Sequence, residues 1–326
     1  MKKIWGIVGT LLGIALSTMS ATEKKITFSI TPKIGFSAGL IKENLYNSVS
    51  EKLVSELNWK KFPLLNSGLD SELKIKKINF SFSAIYNMPF KCGQMTDSDF
   101  YSSGVKQKYS VFTNYADYKN FALDFKFYYD FSINDFFTIS PLVQADYRHY
   151  SFYTSLGKGW YGYNGKPWND ESAEEHPKLS HIEYLQQSYF LFTGAKFTLN
   201  YKKIKSSLSA GISPFTLNYS IDYHADDSSN STKKDFSTYS KQTASFKSFI
   251  IDFDFEYFIT QKVHLYTNMN FLILNEIKGP TGIQENSRPD EKFAFTEDTE
   301  KWNITGQMTG NSIFEFYFFA SCKILF

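Results

Sequence analysis

Long stretches of alternating apolar and polar residues restrict the fold of this chain more than any other feature. Residues 122–131, ALDFKFYYDF, and residues 251–257, IDFDFEY, place apolar or aromatic side chains at every second position. Because neighbouring side chains of a β-strand point to opposite faces, these segments predict strands that are apolar on one face and polar on the other. Such strands fit a water-soluble sandwich, or a membrane barrel with an apolar outer face and a polar interior.

The connections between the predicted strands favour the membrane barrel. Tight turns are predicted at residues 76–77, 134–135, 202–203 and 260–261, and long polar loops at about 91–117, 157–184, 225–245 and 278–306. With a shorter loop near residues 44–52, tight and long connections alternate along the chain, as they do in outer-membrane barrels. The sequence therefore predicts an all-β fold, a ten-stranded antiparallel transmembrane β-barrel. Many strands approach 20 residues and about ten residues suffice to cross a bilayer, so the barrel should extend beyond the outer membrane at its long-loop end.

The N-terminus predicts a secreted protein. Lys2 and Lys3 precede the apolar residues 4–16, and small residues follow, which is typical of a signal peptide covering residues 1–21. Residues 22–326 are then a single barrel domain. Removing two lysines from the 35 basic residues leaves 33, equal to the 33 acidic residues. A net charge of zero gives no support to a nucleic-acid partner.

Four ionisable residues are predicted at the long-loop end of the barrel. Asp97 and Asp99 lie in MTDSDF, residues 95–100, in the loop that follows the third predicted strand. Asp222 and His224 lie two residues apart on the inward phase of the seventh predicted strand. Pro214 removes a backbone donor from that strand and the alternation changes phase there, which predicts a β-bulge.

An Asp-x-His pair on one strand face has a chemical use. The carboxylate can hold the imidazole in one tautomer, and a neutral imidazole so held can act as a general base for water near neutral pH. The residues alone leave two simpler interpretations open. Asp97 and Asp99 can be a solvated pair in a polar loop, and His224 can be a hydrogen-bonded lumen residue without a catalytic role.

Four segments resemble motifs of the omptin family, outer-membrane aspartyl-histidine endopeptidases with ten-stranded barrels. They are MTDSDF, the Asp222-Tyr223-His224 triplet, SELNWKKF at residues 55–62 and HYSFYTSLGKGWY at residues 149–161. The resemblance covers about residues 26–326. It implies that Asp97, Asp99, Asp222 and His224 are catalytic. By the same resemblance, Asp222 orients His224, His224 and Asp97 activate water, and Asp99 supports Asp97, with no metal, cofactor or covalent intermediate.

The resemblance also concerns specificity and lipid. Glu43 resembles the acidic residue at the base of the family's pocket for a basic side chain, and Ser220 stands where that pocket has a second acid. One carboxylate fewer predicts weaker binding of Arg or Lys. Ala145, Tyr147 and His149 replace a Tyr-x-Glu-x-Arg lipopolysaccharide contact. This departure puts activation by lipopolysaccharide, or by another outer-leaflet lipid, in question.

The sequence thus predicts an aspartic-type endopeptidase in the cell outer membrane, with its active site facing outward. Its expected partners are polypeptides at the cell surface and outer-membrane lipid, and the barrel is expected to be a monomer. The polypeptides would be cut internally, and the resemblance at Glu43 suggests cleavage beside basic residues. Activity should fall as the pH drops through the pKa of His224, which is near 6.5 if unperturbed. The alternatives are an inactive omptin-like barrel that acts as an adhesin or surface-binding protein, and a small porin.

Overall fold

A computed structural model describes residues 26–88, 93–101, 105–112, 117–155, 158–162, 173–175, 181–225, 236–285 and 303–326. The predicted signal peptide, residues 1–21, lies outside this part of the chain. Among the described residues, no helix has the length and apolar character needed to cross a membrane.

The described residues form sixteen β-strands, and every pairing between them is antiparallel. The strands are β1 Ile26–Asn47, β2 Leu53–Ile75, β3 Ile78–Asn87, β4 Gln94–Phe100, β5 Lys106–Phe112, β6 Asp117–Tyr129, β7 Phe131–Ser132, β8 Phe137–Ser155, β9 Lys158–Tyr161, β10 Ala173–Glu175, β11 His181–Tyr201, β12 Ile204–Ala225, β13 Phe236–Ala244, β14 Ser248–Phe258, β15 Val263–Glu285 and β16 Asn303–Leu325.

The sheet closes on itself because β1 pairs with both β2 and β16. Around the ring the order is β1, β16, β15, β13, β12, β11, β8, β6, β3 and β2, with β14 continuing β13 between β12 and β15. The remaining short strands continue others along the chain: β3 with β4, β5 with β6 and β7, β8 with β9, and β10 with β11. The sixteen segments therefore group into ten barrel strands, which confirms the predicted fold.

All four predicted tight turns are present. Lys76 and Lys202 adopt positive φ angles of 57° and 53°, which let the chain reverse within two residues. At the other two turns a side chain organises the backbone. The Asn134 Oδ1 atom accepts hydrogen bonds from two following amides, and the Thr260 Oγ1 atom does the same.

A belt of exposed apolar side chains surrounds the tight-turn half of the barrel. Its members include Phe36, Phe82, Phe125, Val143, Leu191, Leu208, Phe253, Leu265 and Phe314. A continuous apolar surface of this size is unusual for a protein in water and is typical of strands that face lipid. Beyond the belt β1 continues to Asn47 and β12 to Ala225, so half of the barrel projects past it, as predicted. In this projecting half Ile221 and Tyr223, which alternate with Asp222 and His224 along β12, are buried.

Strand irregularities separate the two halves. The registers shift between Ser37 and Gly39 in β1, between Leu191 and Thr193 in β11, and between Leu274 and Ile277 in β15. In the second case β12 contains one extra residue next to Pro214, which confirms the predicted β-bulge. At this point β12 exchanges its neighbour β14 for β13, so the bulge redirects the segment that carries Asp222 and His224.

A buried polar layer fills the middle of the barrel. Lys61 and Glu315 form an ion pair in which neither side chain is exposed, and the hydroxyl groups of Tyr150 and Tyr317 each donate a hydrogen bond of 2.8 Å to Glu315. Arg148 lies beside this pair, and its side chain is 1% exposed. Its guanidinium group lies over the ring of Tyr317, 5.5 Å from the ring centroid. We call these five residues the central layer.

Below the central layer, charged side chains line a polar cavity of about 90 Å³. Lys126 and Asp252 form one of its ion pairs, with 2.9 Å between Nζ and Oδ2. The guanidinium group of Arg148 contacts Asp146, two residues away on the same face of β8, and Asp124 on the adjacent β6.

Candidate active site

The four predicted catalytic residues lie in the projecting half of the barrel, above the apolar belt. Asp97 and Asp99 are in β4, and Asp222 and His224 lie in the last four residues of β12. The prediction that MTDSDF belongs to a loop is wrong. Residues 94–100 form a strand between β2 and β5. Asp97 pairs with the buried Leu57 of β2, so its side chain points into the lumen. Asp99, two residues further on, lies on the same face.

Asp222 and His224 form a close pair. Their separation of two residues puts both side chains on the same strand face, and the Nε2 atom of His224 lies 2.7 Å from the Oδ2 atom of Asp222. Asp222 is buried, and its other oxygen, Oδ1, has no hydrogen-bond partner. The carboxylate therefore holds the imidazole as the sequence predicted, and one of its oxygens stays available to a further donor.

The pKa of His224 differs from the expected value near 6.5. Burial lowers this pKa, but the charge and hydrogen bond of Asp222, together with the charge of Asp97, outweigh burial and raise it to about 9. The imidazole is therefore protonated at neutral pH in the free protein. This differs from the neutral imidazole expected from the sequence, because the charges of two buried carboxylates act on the ring.

Asp97 faces the Asp222–His224 pair. Burial raises the pKa of Asp97 from 3.8 to about 6, and the charge of Asp99 adds to this effect, while the charges of Lys108 and His224 oppose it. The Oδ1 atom of Asp97 has no hydrogen-bond partner. Between pH 6 and pH 9 the cleft thus holds a carboxylate opposite an imidazolium ion.

Asp99 stands at the rim, with 39% of its side chain exposed. Lys108, in β5, lies between the two acids of β4. Its Nζ atom is 3.7 Å from the Oδ2 atom of Asp97 and 3.6 Å from that of Asp99. Lys108 could not be identified from the sequence, because its position follows from the β4–β5 register, which pairs Lys108 with Asp99.

Glu43 and Ser220 come together next to Asp222, as predicted. Burial raises the pKa of Glu43 from 4.5 to about 8, the charge of Asp222 adds to this, and hydrogen bonds with Ser220 and Tyr184 oppose it. The Oε2 atom of Glu43 has no hydrogen-bond partner. Asp222 and Glu43 thus place two buried carboxyl groups, each with one unpartnered oxygen, in the same part of the cleft.

Neutral polar side chains surround Ser220. Its hydroxyl group lies 2.6 Å from that of Ser240 and accepts a hydrogen bond of 2.8 Å from the Nδ2 atom of Asn311. The hydroxyl group of Tyr184 donates to the Oδ1 atom of Asn311 at 3.2 Å. Tyr184, Ser240 and Asn311 could not be identified from the sequence, since three different strands, β11, β13 and β16, bring them together.

Two further predictions concern metal and lipid. Across the ranges that the structure describes, no three His, Cys, Asp or Glu side chains are grouped so that they could hold a metal ion. Tyr147 and His149 lie on the outer face of β8, where the Tyr147 ring packs 4.9 Å from that of Tyr189 and the His149 Nδ1 atom lies 3.5 Å from the Nε2 atom of Gln187. Lipid dependence stays a prediction.

The chain is similar to known proteins over nearly its whole length. A family model described as the Omptin family matches residues 23–306. The crystal structure of the outer membrane protease OmpT from Escherichia coli superposes with a TM-score of 0.77 at 16% identity, covering 94% of this chain and 99% of that one. The translocator domain of the autotransporter NalP from Neisseria meningitidis gives a TM-score of 0.24 at 8% identity, covering 97% and 95%. No curated protein sequence matches this chain.

Proposed function

The chain belongs to the omptin family, and from this premise we propose that it is an outer-membrane endopeptidase whose cleft opens to the outside of the cell. The observation that carries the proposal is the Asp222–His224 pair facing Asp97 inside the projecting half of the barrel. A carboxylate opposite a carboxylate-bound imidazolium is a suitable arrangement for activating water against a peptide carbonyl.

The charge states assign a role to each group. Asp97, ionised above about pH 6, takes the proton of a water molecule as that water attacks the carbonyl carbon. His224, protonated below about pH 9, stabilises the negative charge that develops on the carbonyl oxygen and then protonates the leaving amine. Asp222 holds the imidazolium in place, and Asp99 supports Asp97. No covalent intermediate is required.

This assignment predicts a bell-shaped dependence of activity on pH. Activity rises as Asp97 ionises near pH 6 and falls as His224 loses its proton near pH 9. It replaces the expectation that activity rises through pH 6.5 with deprotonation of His224.

The substrate would be a polypeptide cut at an internal bond. Glu43 supports a preference for a basic side chain, because a cation would satisfy its unpartnered Oε2 atom and that of Asp222. The preference is weakened by Ser220, which contributes a hydroxyl group where a second carboxylate would bind the cation directly.

The central layer counts against the porin alternative. Lys61 and Glu315 are fully buried, and Arg148, Tyr150 and Tyr317 are each 1% exposed, so side chains fill the lumen at this level. The adhesin alternative makes no use of the buried carboxyl groups, and it predicts that their substitution leaves function unchanged.

Cleavage of a mixed peptide library by the refolded barrel, residues 22–326, tests the proposal. Asp97→Asn and His224→Gln should each lower kcat/KM by about 100-fold or more, since a general acid or base contributes on that order. Asp135→Asn, in the exposed turn between β7 and β8, is the matched control and should retain wild-type activity.

Each variant should first be shown to be folded by its resistance to SDS at room temperature. A folded wild-type barrel that cleaves nothing, with and without lipopolysaccharide, would move the assignment to a surface-binding protein. Retained activity in Asp97→Asn or His224→Gln would remove the proposed mechanism.

A further inference from the structure

Two acids placed two residues apart on one strand face repel each other, and in this structure the ammonium group of a lysine lies between them. Asp97 and Asp99 share the inward face of β4. Lys108, directly opposite Asp99 in β5, reaches both carboxylates, with Nζ–Oδ2 distances of 3.7 and 3.6 Å. The side chain of Lys108 is 29% exposed, so it lies at the wall of the cleft, in contact with water.

The other charged groups around the acid pair come from each neighbouring strand. From β12, Asp222 and His224 face Asp97. On β5, Lys106 places its ammonium group over the rings of Phe100 and Tyr109 at 5.5 and 4.9 Å.

The charged residues of the neighbouring strands β2 and β9 contact other groups. On β2, Lys61 is paired with Glu315, while Glu56 is paired with Lys42 of β1 at 3.0 Å. On β9, the ammonium group of Lys158 lies over the ring of Trp160 at 5.5 Å. The described cations that act on Asp97 are therefore Lys108 and His224.

We propose that Lys108 is a positioning residue of this site, whose ammonium group holds Asp97 and Asp99 together as two carboxylates and so keeps Asp97 available to water at neutral pH. The inference rests on the proposed function, because it assigns Asp97 the role of base. Lys108 acts through Asp97 and is not required to touch substrate.

The size of the effect follows from the distance and the exposure. A unit charge 3.7 Å from Asp97, partly screened by water, changes a carboxyl pKa by about one unit. Without Lys108 the pKa of Asp97 therefore rises from about 6 to about 7. At pH 6 the ionised fraction of Asp97 falls about fivefold, whereas at pH 8 it changes by only about a tenth.

The first test compares pH profiles of kcat and KM between pH 5 and pH 9 for Lys108→Met, Lys108→Arg and the matched control Lys106→Met. Lys108→Met should lower kcat about fivefold at pH 6 and less than about twofold at pH 8, with KM nearly unchanged. Lys108→Arg should restore the wild-type profile, and Lys106→Met should not alter it. A loss of equal size at every pH, or no loss, would overturn the inference.

The second test does not depend on cleavage. Barrels labelled with ¹³C at the aspartate carboxyl carbons are titrated by NMR, and Asp97→Asn identifies the resonance of Asp97. In Lys108→Met this resonance should titrate about one pH unit higher than in the wild type; an unchanged midpoint would refute the role of Lys108. If the shift occurs but the wild-type barrel cleaves no peptide, the proposed function fails while the charge coupling stands.

Discussion

Replacing Asp222 with Asn tests the electrostatic account of the cleft most directly. Asn keeps the shape of Asp222 and can still accept a hydrogen bond from the imidazole 2.7 Å away, but it removes the charge. Burial, which lowers the pKa of His224, is then opposed chiefly by Asp97. The pKa should fall from about 9 to 6.5 or below.

The consequences for activity and stability have definite signs. At pH 7.5 the protonated fraction of His224 should fall from about 97% to about 10%, so kcat should drop about tenfold through this effect alone. A histidine whose folded-state pKa is raised stabilises the protein fully below pH 6.5 and loses that contribution as the pH rises through 9. With 26% of the His224 side chain exposed, the stability lost in Asp222→Asn at pH 6 is about 2 to 3 kcal/mol.

NMR of histidine-labelled barrels measures this pKa. His224→Gln identifies the resonance of His224, and the resonance of His149, on the outer face of β8, is an internal control that should titrate alike in wild type and Asp222→Asn. Unfolding by urea at pH 6 and pH 9.5 measures the stability difference, which should be large only at pH 6. A wild-type His224 that titrates below pH 7, or one that does not respond to Asp222→Asn, would refute the reasoning.

Four other experiments have expected outcomes. Lys61→Met should destabilise the barrel by about 3 to 5 kcal/mol, because it leaves Glu315 buried without its cation; adding Glu315→Gln should recover most of the loss in urea titrations followed by the fluorescence of the buried Trp59. Ser220→Asp should raise kcat/KM for substrates with Arg or Lys at the cleavage site by about tenfold relative to Ser220→Ala, through the added charge; an equal gain for neutral substrates would contradict this. The KM for such basic substrates should fall as the pH rises through about 8 and Glu43 ionises, and a pH-independent KM would count against Glu43 as their partner. The wild-type barrel should show no stepwise conductance in planar bilayers, and steady open channels would reopen the porin alternative.

The fold could be predicted because its determinants are local. Alternation along each strand reports which face meets lipid, and the tight turns are encoded by one or two residues such as Asn134 and Thr260. The bulge at Pro214 was predictable for the same reason. The strands β4 and β5 were not predicted, because MTDSDF and KQKYSVF have polar residues on both faces and give no apolar contrast to detect.

The candidate site could be predicted only in part. The spacing of Asp222 and His224 placed both on one face, which needs no tertiary information. The approach of Lys108 to Asp97 requires the β4–β5 register, and the raised pKa of His224 requires its burial beside two carboxylates. The catalytic roles came from family resemblance and stay predictions until substitution tests them.

The central layer has a consequence for how a long polypeptide would be handled. Its buried side chains fill the lumen, so among the described residues the cleft is closed on the side of the tight turns. A chain that enters to be cut cannot pass through; it must bend in and out by the same mouth, and both products must leave there before the next chain enters. Exposed loops and flexible termini meet that requirement, whereas rigid folded segments do not. The same closure separates the proposed proteolytic site from the tight-turn end of the barrel.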